Sequence, residues 1–301
     1  MLSRKNRWYA LKILPFGVIW MIFGILYSLL ELGLLGNSEF YPATDNPYDF
    51  TYSFLLNAPG AFFLGLCIGT IEVFYFETKL DKYPLWIKLF IKNLIYLILI
   101  FTFLVTLSFF ANAARLNLSV FDPEVFNLIG QFMSAFSFWS IMIYGAFNIT
   151  VALYYAETQN SLGQKMLSNF FLGKYHKPKQ EERIFMFLDM KSSTTIAEKL
   201  GHIKYFEMLN DYYQTMTDSI INSNGEVYQY AGDEIIITWV EEDGLKNNDC
   251  LLCFIRIKET FKLRSDFFQS KYGLIPEFKA GMHTGQVTTG EIGTLKKEIV
   301  Y

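Results

Sequence analysis

Arg183-Ile-Phe-Met-Phe-Leu-Asp-Met-Lys-Ser-Ser-Thr-Thr195 decides the fold of the C-terminal part of this 301-residue chain. Its first seven residues read as a short buried strand ending in an acid, Asp189. Ser192 to Thr195 follow, residue types that favour helix N-termini, and a helical pattern runs from Ile196 to Leu200. A strand that carries an Asp into a tight turn before a helix can hold a metal and a phosphate together. The Asp189 carboxylate offers hard oxygen to Mg²⁺ or Mn²⁺, and the free N–H groups from Ser192 to Thr195 face an anion. Gly201 closes this helix, and a second is expected over 203–223, with Tyr205, Phe206, Met208, Leu209, Tyr212, Tyr213, Met216 and Ile220 on its apolar side.

A second stretch, Gly225-Glu-Val-Tyr-Gln-Tyr-Ala-Gly-Asp-Glu-Ile-Ile-Ile-Thr-Trp239, has two β-rich runs flanking Ala231 to Glu234. It predicts a hairpin with Asp233 at its tip, where Gly232 permits the unusual backbone of the turn. If that hairpin lies beside the first strand, Asp233 meets Asp189. Two carboxylates at one point repel unless a cation sits between them, and two divalent ions bridged by them would organise a triphosphate. Downstream, 241–245 reads as a solvated acidic turn and 246–269 as one amphipathic helix. Residues 276–282 and 287–292 read as strands around His283-Thr-Gly. A metal mechanism needs no protein base, so His283 is read as a hydrogen-bonded structural residue. Cys250 and Cys253 are read as small apolar residues on one helix face, because neither a second CxxC nor a His pair accompanies them.

The composition changes sharply upstream. Hydrophobic residues make up 52% of the chain, charged residues 18%, and the mean hydropathy is +0.23. Ordinary soluble domains carry about 45–50% apolar and about 25% charged residues, so a disordered chain, a basic nucleic-acid binder and a disulfide-stapled module are excluded. Residues 1–155 carry 18 charges and residues 183–301 carry 30. The expected domains are therefore 1–155, crossing the membrane, 156–182, a linker, and 183–301, a domain outside the membrane. Four apolar runs, 11–35, 54–76, 85–110 and 132–155, are long enough to span a bilayer. The first is too long for a signal peptide and no cleavage site follows it.

Lysine and arginine set the expected orientation. Arg4, Lys5, Arg7 and Lys12 lie before or at the start of the first span, and Lys79, Lys82 and Lys88 lie between the second and third or at the start of the third. The 36–51 loop has no basic residue but has Glu39, Asp45 and Asp49, and the loop after span three has only Arg115. The N-terminus and the C-terminal domain are thus expected in the cytoplasm, with the spans in the inner (plasma) membrane. Glu31 and Glu72 fall within or near apolar runs. Glu72 is either part of a ligand or ion pocket or an interhelical hydrogen-bonded group. All three histidines, His176, His202 and His283, lie after the spans, which excludes a bis-histidine haem among them. In the linker, Leu162, Met166, Phe170 and Phe171 suggest a short amphipathic helix, a tether or a transducer, broken by Gly173 and Pro178.

The stretches F-L-D-M-K-S-S-T-T, Y-Q-Y-A-G-D-E and G-M-H-T-G-Q-V-T-T-G-E-I-G, in that order, resemble the class III adenylyl/guanylyl cyclase catalytic domain, and the four-span half resembles that of bacterial membrane-bound members. The resemblance implies an α+β ferredoxin-like domain that follows an all-α four-helix transmembrane bundle and works as a homodimer. It implies that Asp189, Asp233 and the backbone carbonyl of Met190 bind two Mg²⁺ or Mn²⁺ ions. It further implies that Ser192, Ser193 and Thr194 hold the β- and γ-phosphates, and that Gln229 stands where the base is read. The implied reaction is ATP to 3′,5′-cyclic AMP and pyrophosphate, for intracellular signalling. Family members usually carry Lys or Glu at the Gln229 position, so GTP is the alternative substrate. The family domain continues beyond the equivalent of Tyr301 with a segment bearing a catalytic Asn and Arg, so the sequence is expected to hold part of that domain. Three rivals remain: a diguanylate cyclase, suggested by A-G-D-E-I; a silent membrane receptor or scaffold that binds nucleotide or dimerises; and a small four-span transporter. No G-x-x-x-x-G-K-[ST] loop is present, which disfavours a P-loop NTPase.

Overall fold

The computed structural model describes residues 3–42, 47–80, 82–295 and 297–301; Asp45 of the outer-loop reading lies outside them. The chain forms two compact units, Tyr9–Ser161 and Leu162–Tyr301, the latter joined by Met1–Trp8.

The first unit is helical. It contains α1 (Arg4–Leu35), α2 (Phe50–Ile71), a π-helical turn (Glu72–Phe76), α3 (Glu77–Lys79), α4 (Leu85–Leu116), α5 (Pro123–Ser134) and α6 (Phe136–Leu162). Four of these stretches, Arg4–Leu35, Phe50–Phe76, Leu85–Leu116 and Phe136–Leu162, are long and apolar enough to cross a membrane. The fourth starts at Phe136 rather than 132. Ala135 is extended (φ −72, ψ 141) and separates it from α5, whose N-terminus is capped by Asp122 and begins with Pro123. It also continues past 155 to Leu162.

Small residues let α1 and α2 approach closely. A Cβ on Gly65 would lie 2.6 Å from the Phe16 carbonyl oxygen, and one on Gly24 would lie 2.8 Å from Ala61 Cβ. Phe16, Trp20, Ile68, Tyr96, Ile149 and Leu153 form the apolar centre. Glu72 is buried within the π-helical turn, a feature that recurs where helices are locally adapted. It accepts hydrogen bonds from Lys92 Nζ at 2.5 Å and Tyr96 Oη at 2.9 Å, and Lys92 Nζ also donates to Glu157 at 2.7 Å. Glu72 is therefore an interhelical group joined to α4, and Lys92 links α2's extension to α6. Glu31 accepts from Ser53 Oγ at 2.6 Å, within a polar chain that includes Asn57 and Ser28.

The second unit holds a five-stranded antiparallel sheet in the order β2-β3-β1-β4-β5. In chain order its elements are α7 (Gln164–Phe171), β1 (Lys179–Met190), α8 (Ser193–Leu200), α9 (His202–Asn222), β2 (Glu226–Ala231), β3 (Glu234–Val240), α10 (Glu241–Leu245), a 3₁₀ turn (Lys246–Asn248), α11 (Asp249–Leu263), α12 (Ser265–Tyr272), β4 (Phe278–Ile292) and β5 (Glu298–Val300). Alternation along β1 explains the layering. Ile184, Met186, Leu188 and Met190 are buried against Met208, Tyr212 and Met216 of α9 and Cys253, Ile257 and Phe261 of α11. Arg183, Phe185, Phe187 and Asp189 take the opposite face of the same strand.

Four expectations change here. The strand begins at Lys179, because the polar run Lys179–Glu182 pairs with Thr289–Gln286 of β4. His283-Thr-Gly is no turn: pairing with Phe185, Ile184 and Arg183 keeps β4 continuous from Phe278 to Ile292. The 246–269 helix is broken at Arg264 (φ −100, ψ 12), and the acidic 241–245 run is itself helical. The linker helix does form, but Gly163 (φ 89) separates it from α6, a backbone geometry suited to glycine.

Candidate active site

The site is built where β1 ends. In register, Asp189 faces Glu234 on β3 and Lys279 on β4. The β2–β3 hairpin turns through Gly232 (φ 67) and Asp233, and Tyr213 Oη of α9 donates to the Gly232 carbonyl at 2.7 Å, which fixes the tip. The tip brings the Asp233 carboxylate within hydrogen-bonding reach of Asp189. The two acids read from the sequence are therefore neighbours.

Lys279 Nζ lies 3.0 Å from Asp189 Oδ2. Its hydrogen bond, and to a lesser degree the polar contact with Asp233, holds the Asp189 carboxyl below the usual carboxylate range despite partial desolvation. Burial, reinforced by the Asp233 charge, pushes the Tyr205 phenol up, so it stays neutral beside the pair. Phe187, Asp189, Glu234, Lys279, Ala280 and Gly281 line a depression of about 420 Å³. Sequence reading missed Lys279. Its signal was available only through the pairing of β4, because a lysine in F-K-A-G-M-H carries no motif of its own.

The turn after Asp189 takes a left-handed residue, Ser192 (φ 55, ψ 32), where a non-glycine side chain is uncommon and carries strain. Lys191 N donates to the Glu277 carbonyl at 2.8 Å, and the first intrahelical bond runs from Ile196 N to the Ser192 carbonyl at 3.0 Å. The amides of Ser193, Thr194 and Thr195 thus have no acceptor within α8 and lie at its positive end. Ser192 is the cap residue rather than part of the helix. Met190 pairs with Phe278, its side chain in the core, which leaves only its backbone for the edge of the site.

Gln229 is not in this cluster. It lies on edge strand β2 opposite Ile236, just past a bulge at Tyr228, exposed and outside the residues that line the depression. His283 lies on β4 opposite Phe185, exposed, and its side chain makes no hydrogen bond among the described residues; it is not the hydrogen-bonded side chain expected. Cys250 and Cys253 are buried in the core, and burial pushes the Cys253 thiol up to about 12.

The donor set suits a hard divalent cation. Among the described residues no cluster of three or more His, Cys, Asp or Glu side chains forms a metal cage. Mg²⁺ characteristically takes one or two carboxylates, retains water and completes its shell with substrate phosphates, and the Asp189–Asp233 pair next to a backbone carbonyl fits that habit.

No protein-family model matches the chain. In sequence it is 29% identical over 162 residues to adenylate cyclase 2 of Rhizobium meliloti, covering 54% of this chain and 45% of that protein. It is 30% identical over 114 residues to an adenylate cyclase of Anabaena cylindrica, covering 36% of this chain and 22% of that one. The chain therefore spans less than half the length of these curated relatives. Among solved structures, a bacterial light-regulated adenylyl cyclase aligns with a TM-score of 0.46 at 20% identity, over 53% of this chain and 48% of that chain. The adenylyl cyclase CyaB from P. aeruginosa aligns with a TM-score of 0.38 at 17% identity, over 41% and 66%. Its C-terminal unit is thus similar in sequence to parts of proteins named adenylate cyclases, and four apolar helices precede that unit in the chain.

Proposed function

We propose that the protein is a membrane-anchored nucleotide cyclase that converts ATP to 3′,5′-cyclic AMP and pyrophosphate. The observation that carries this reading is the meeting of Asp189 and Asp233 beside the Ser192 turn. The sequence relationship to proteins named adenylate cyclases supports it, and supports ATP over GTP.

Bound divalent ions would supply Lewis-acid activation of the ribose 3′-hydroxyl and neutralise charge on the phosphates. The chain's own residues have separable tasks. Asp189 and Asp233, with the Met190 carbonyl, would hold the cations. The amides of Ser193 to Thr195, with the hydroxyls of Ser192, Ser193 and Thr194, receive the terminal phosphates. Lys279, paired with Asp189 here, would be available to a phosphate oxygen when a cation is held at that carboxylate. The 3′-oxygen then bonds to the α-phosphorus, the bond to pyrophosphate breaks, and the 3′-proton passes to solvent. Gln229 stands apart from these groups and is assigned to the base. Its amide can donate and accept, which admits either purine. The sheet face bearing Phe185 and Phe187 is assigned to a second copy of the chain, which would close the site over the Asp pair.

Four helices long and apolar enough to cross a membrane support attachment of the cyclase unit to one, and the Lys/Arg distribution favours its cytoplasmic side. The test is full-length protein in membranes, supplied with Mn²⁺ and either ATP or GTP, and product identified by mass. Cyclic AMP from wild type and its loss in Asp233→Asn support the reading. No cyclic nucleotide, or one whose yield ignores Asp233, refutes it.

A further inference from the structure

The segment that follows α6 has an unusual chemistry. From Thr158 to Gln180 there is no acidic residue, and Lys165, Lys174, Lys177 and Lys179 supply four positive charges. Within it, Leu167 and Tyr175 are 4% and 0% exposed, and Tyr175 anchors the turn after α7 to its own unit. Tyr175 Oη donates to Glu181 at 3.1 Å, and its carbonyl accepts from Glu291 N at 3.1 Å. Next to these anchors the apolar residues point outward: Phe170 is 47% exposed, Phe171 73% and Leu172 80%.

The charges divide in the same way. Lys165 is engaged by Glu226 at 2.7 Å and Lys174 by Glu181 at 3.4 Å. Lys177 and Lys179 are exposed and make no ion pair among the described residues, and His176 is 75% exposed in its side chain. An adjacent set of exposed aromatic, aliphatic and basic side chains, starting eight residues beyond a helix long enough to cross a bilayer, has the composition of an interfacial element.

We infer that Phe170, Phe171 and Leu172, with Lys177 and Lys179, bind the anionic lipid surface of the membrane that the protein's own helices cross. Aromatic rings settle at headgroup depth, and lysines near an anionic leaflet each strengthen attachment about fivefold. A second copy of the chain is the disfavoured occupant, since a symmetric contact would bring the unpaired lysines of both copies together.

The experiment uses the full chain in lipid nanodiscs. Cys67 is exposed and is replaced (Cys67→Ala), whereas Cys250 and Cys253 are buried and stay unlabelled. Phe171→Cys carries an environment-sensitive fluorophore; Leu172→Cys serves as a second reporter should the first misfold. In phosphatidylglycerol-containing discs the emission shifts to the blue and lipid-borne quenchers reach the probe. In phosphatidylcholine discs, at high salt, or in Lys177→Gln/Lys179→Gln, both effects fall several-fold. The same spectrum in both lipids overturns the inference. A blue shift that ignores lipid charge but follows the number of chains per disc also overturns it, and assigns the patch to a second copy.

Discussion

Replacing Lys279 with Met should tighten divalent-cation binding while leaving the fold almost unchanged. Lys279 is 70% exposed in its side chain and Asp189 is 34% exposed, so their pair lies in the screened regime and contributes about 0–1 kcal/mol to stability. The effect on a cation is larger. A unit charge at 4 Å is worth about 1 kcal/mol in bulk water, and a divalent ion doubles this to about 2 kcal/mol. Salt at physiological strength cuts that figure, and the surviving repulsion corresponds to an affinity change on the order of tenfold. Without nucleotide, Lys279→Met should therefore bind Mn²⁺ about tenfold more tightly than wild type by these estimates, with the difference shrinking as salt rises. Calorimetric or paramagnetic titration of Mn²⁺ into the full chain reads this directly, and Asp189→Asn marks the Asp-dependent part. With ATP bound the order should reverse, because the lost ammonium no longer meets a phosphate. Unchanged or weaker Mn²⁺ binding by a Lys279→Met protein that melts like wild type would refute the reasoning, and with it the idea that Lys279 holds the place of a metal.

Lys92→Met leaves Glu72 and Glu157 without their shared ammonium in a buried setting, which should destabilise the helical unit by about 3–5 kcal/mol; a thermal melt in detergent checks it, and the double change with Glu72→Gln should recover part of the loss. Gly65→Ala forces a methyl group against the Phe16 carbonyl and Trp20 and should cost about 1–3 kcal/mol in the same assay. Burial opposes ionisation of Glu181, but the hydrogen bond and charge of Arg183, helped by Lys174, outweigh it and hold the carboxyl below its usual range. A folded value below the unfolded one means that this contribution is present at neutral pH and is lost as pH falls through the depressed value. Glu181→Gln should accordingly flatten the acid limb of the stability curve, read as melting temperature against pH.

Local pattern made much of this legible. The Asp189 strand, the Gly232 hairpin and the α9 face each fall within one short window of chain whose periodicity reports its own burial. What stayed hidden depends on pairing between distant segments. Gly285 reads as a turn until Arg183 is set opposite it, and the polar Lys179–Glu182 run reads as linker until β4 pairs with it. Lys92 disappears inside an apolar span because its partners, Glu72 and Glu157, lie on other helices. Ala135 carries no breaker chemistry, yet it divides α5 from α6.

The same dependence explains where the acids ended up. A strand alternates its faces, so Asp189 at the end of β1 can share the uncovered side only if Met190, Leu188, Met186 and Ile184 go into the core. A one-residue slip would bury Asp189 beneath α9 and α11 without a partner, a cost of several kcal/mol for an unpaired charge. The hydrophobic pattern of β1 therefore fixes the position of its acid as firmly as any contact within the site. Asp233 has no such protection, because it sits in a turn. Its placement rests on Gly232's positive φ and on the Tyr213 hydrogen bond to the Gly232 carbonyl. Tyr213→Phe removes that bond while leaving the ring. It should loosen the tip, weaken Mn²⁺ binding several-fold and spare the fold, since the hydroxyl's hydrogen bonds to the Gly232 and Glu234 carbonyls contribute only about 0.5–1.5 kcal/mol each. Equal Mn²⁺ affinity in Tyr213→Phe and wild type would show that the hairpin holds Asp233 in place without α9.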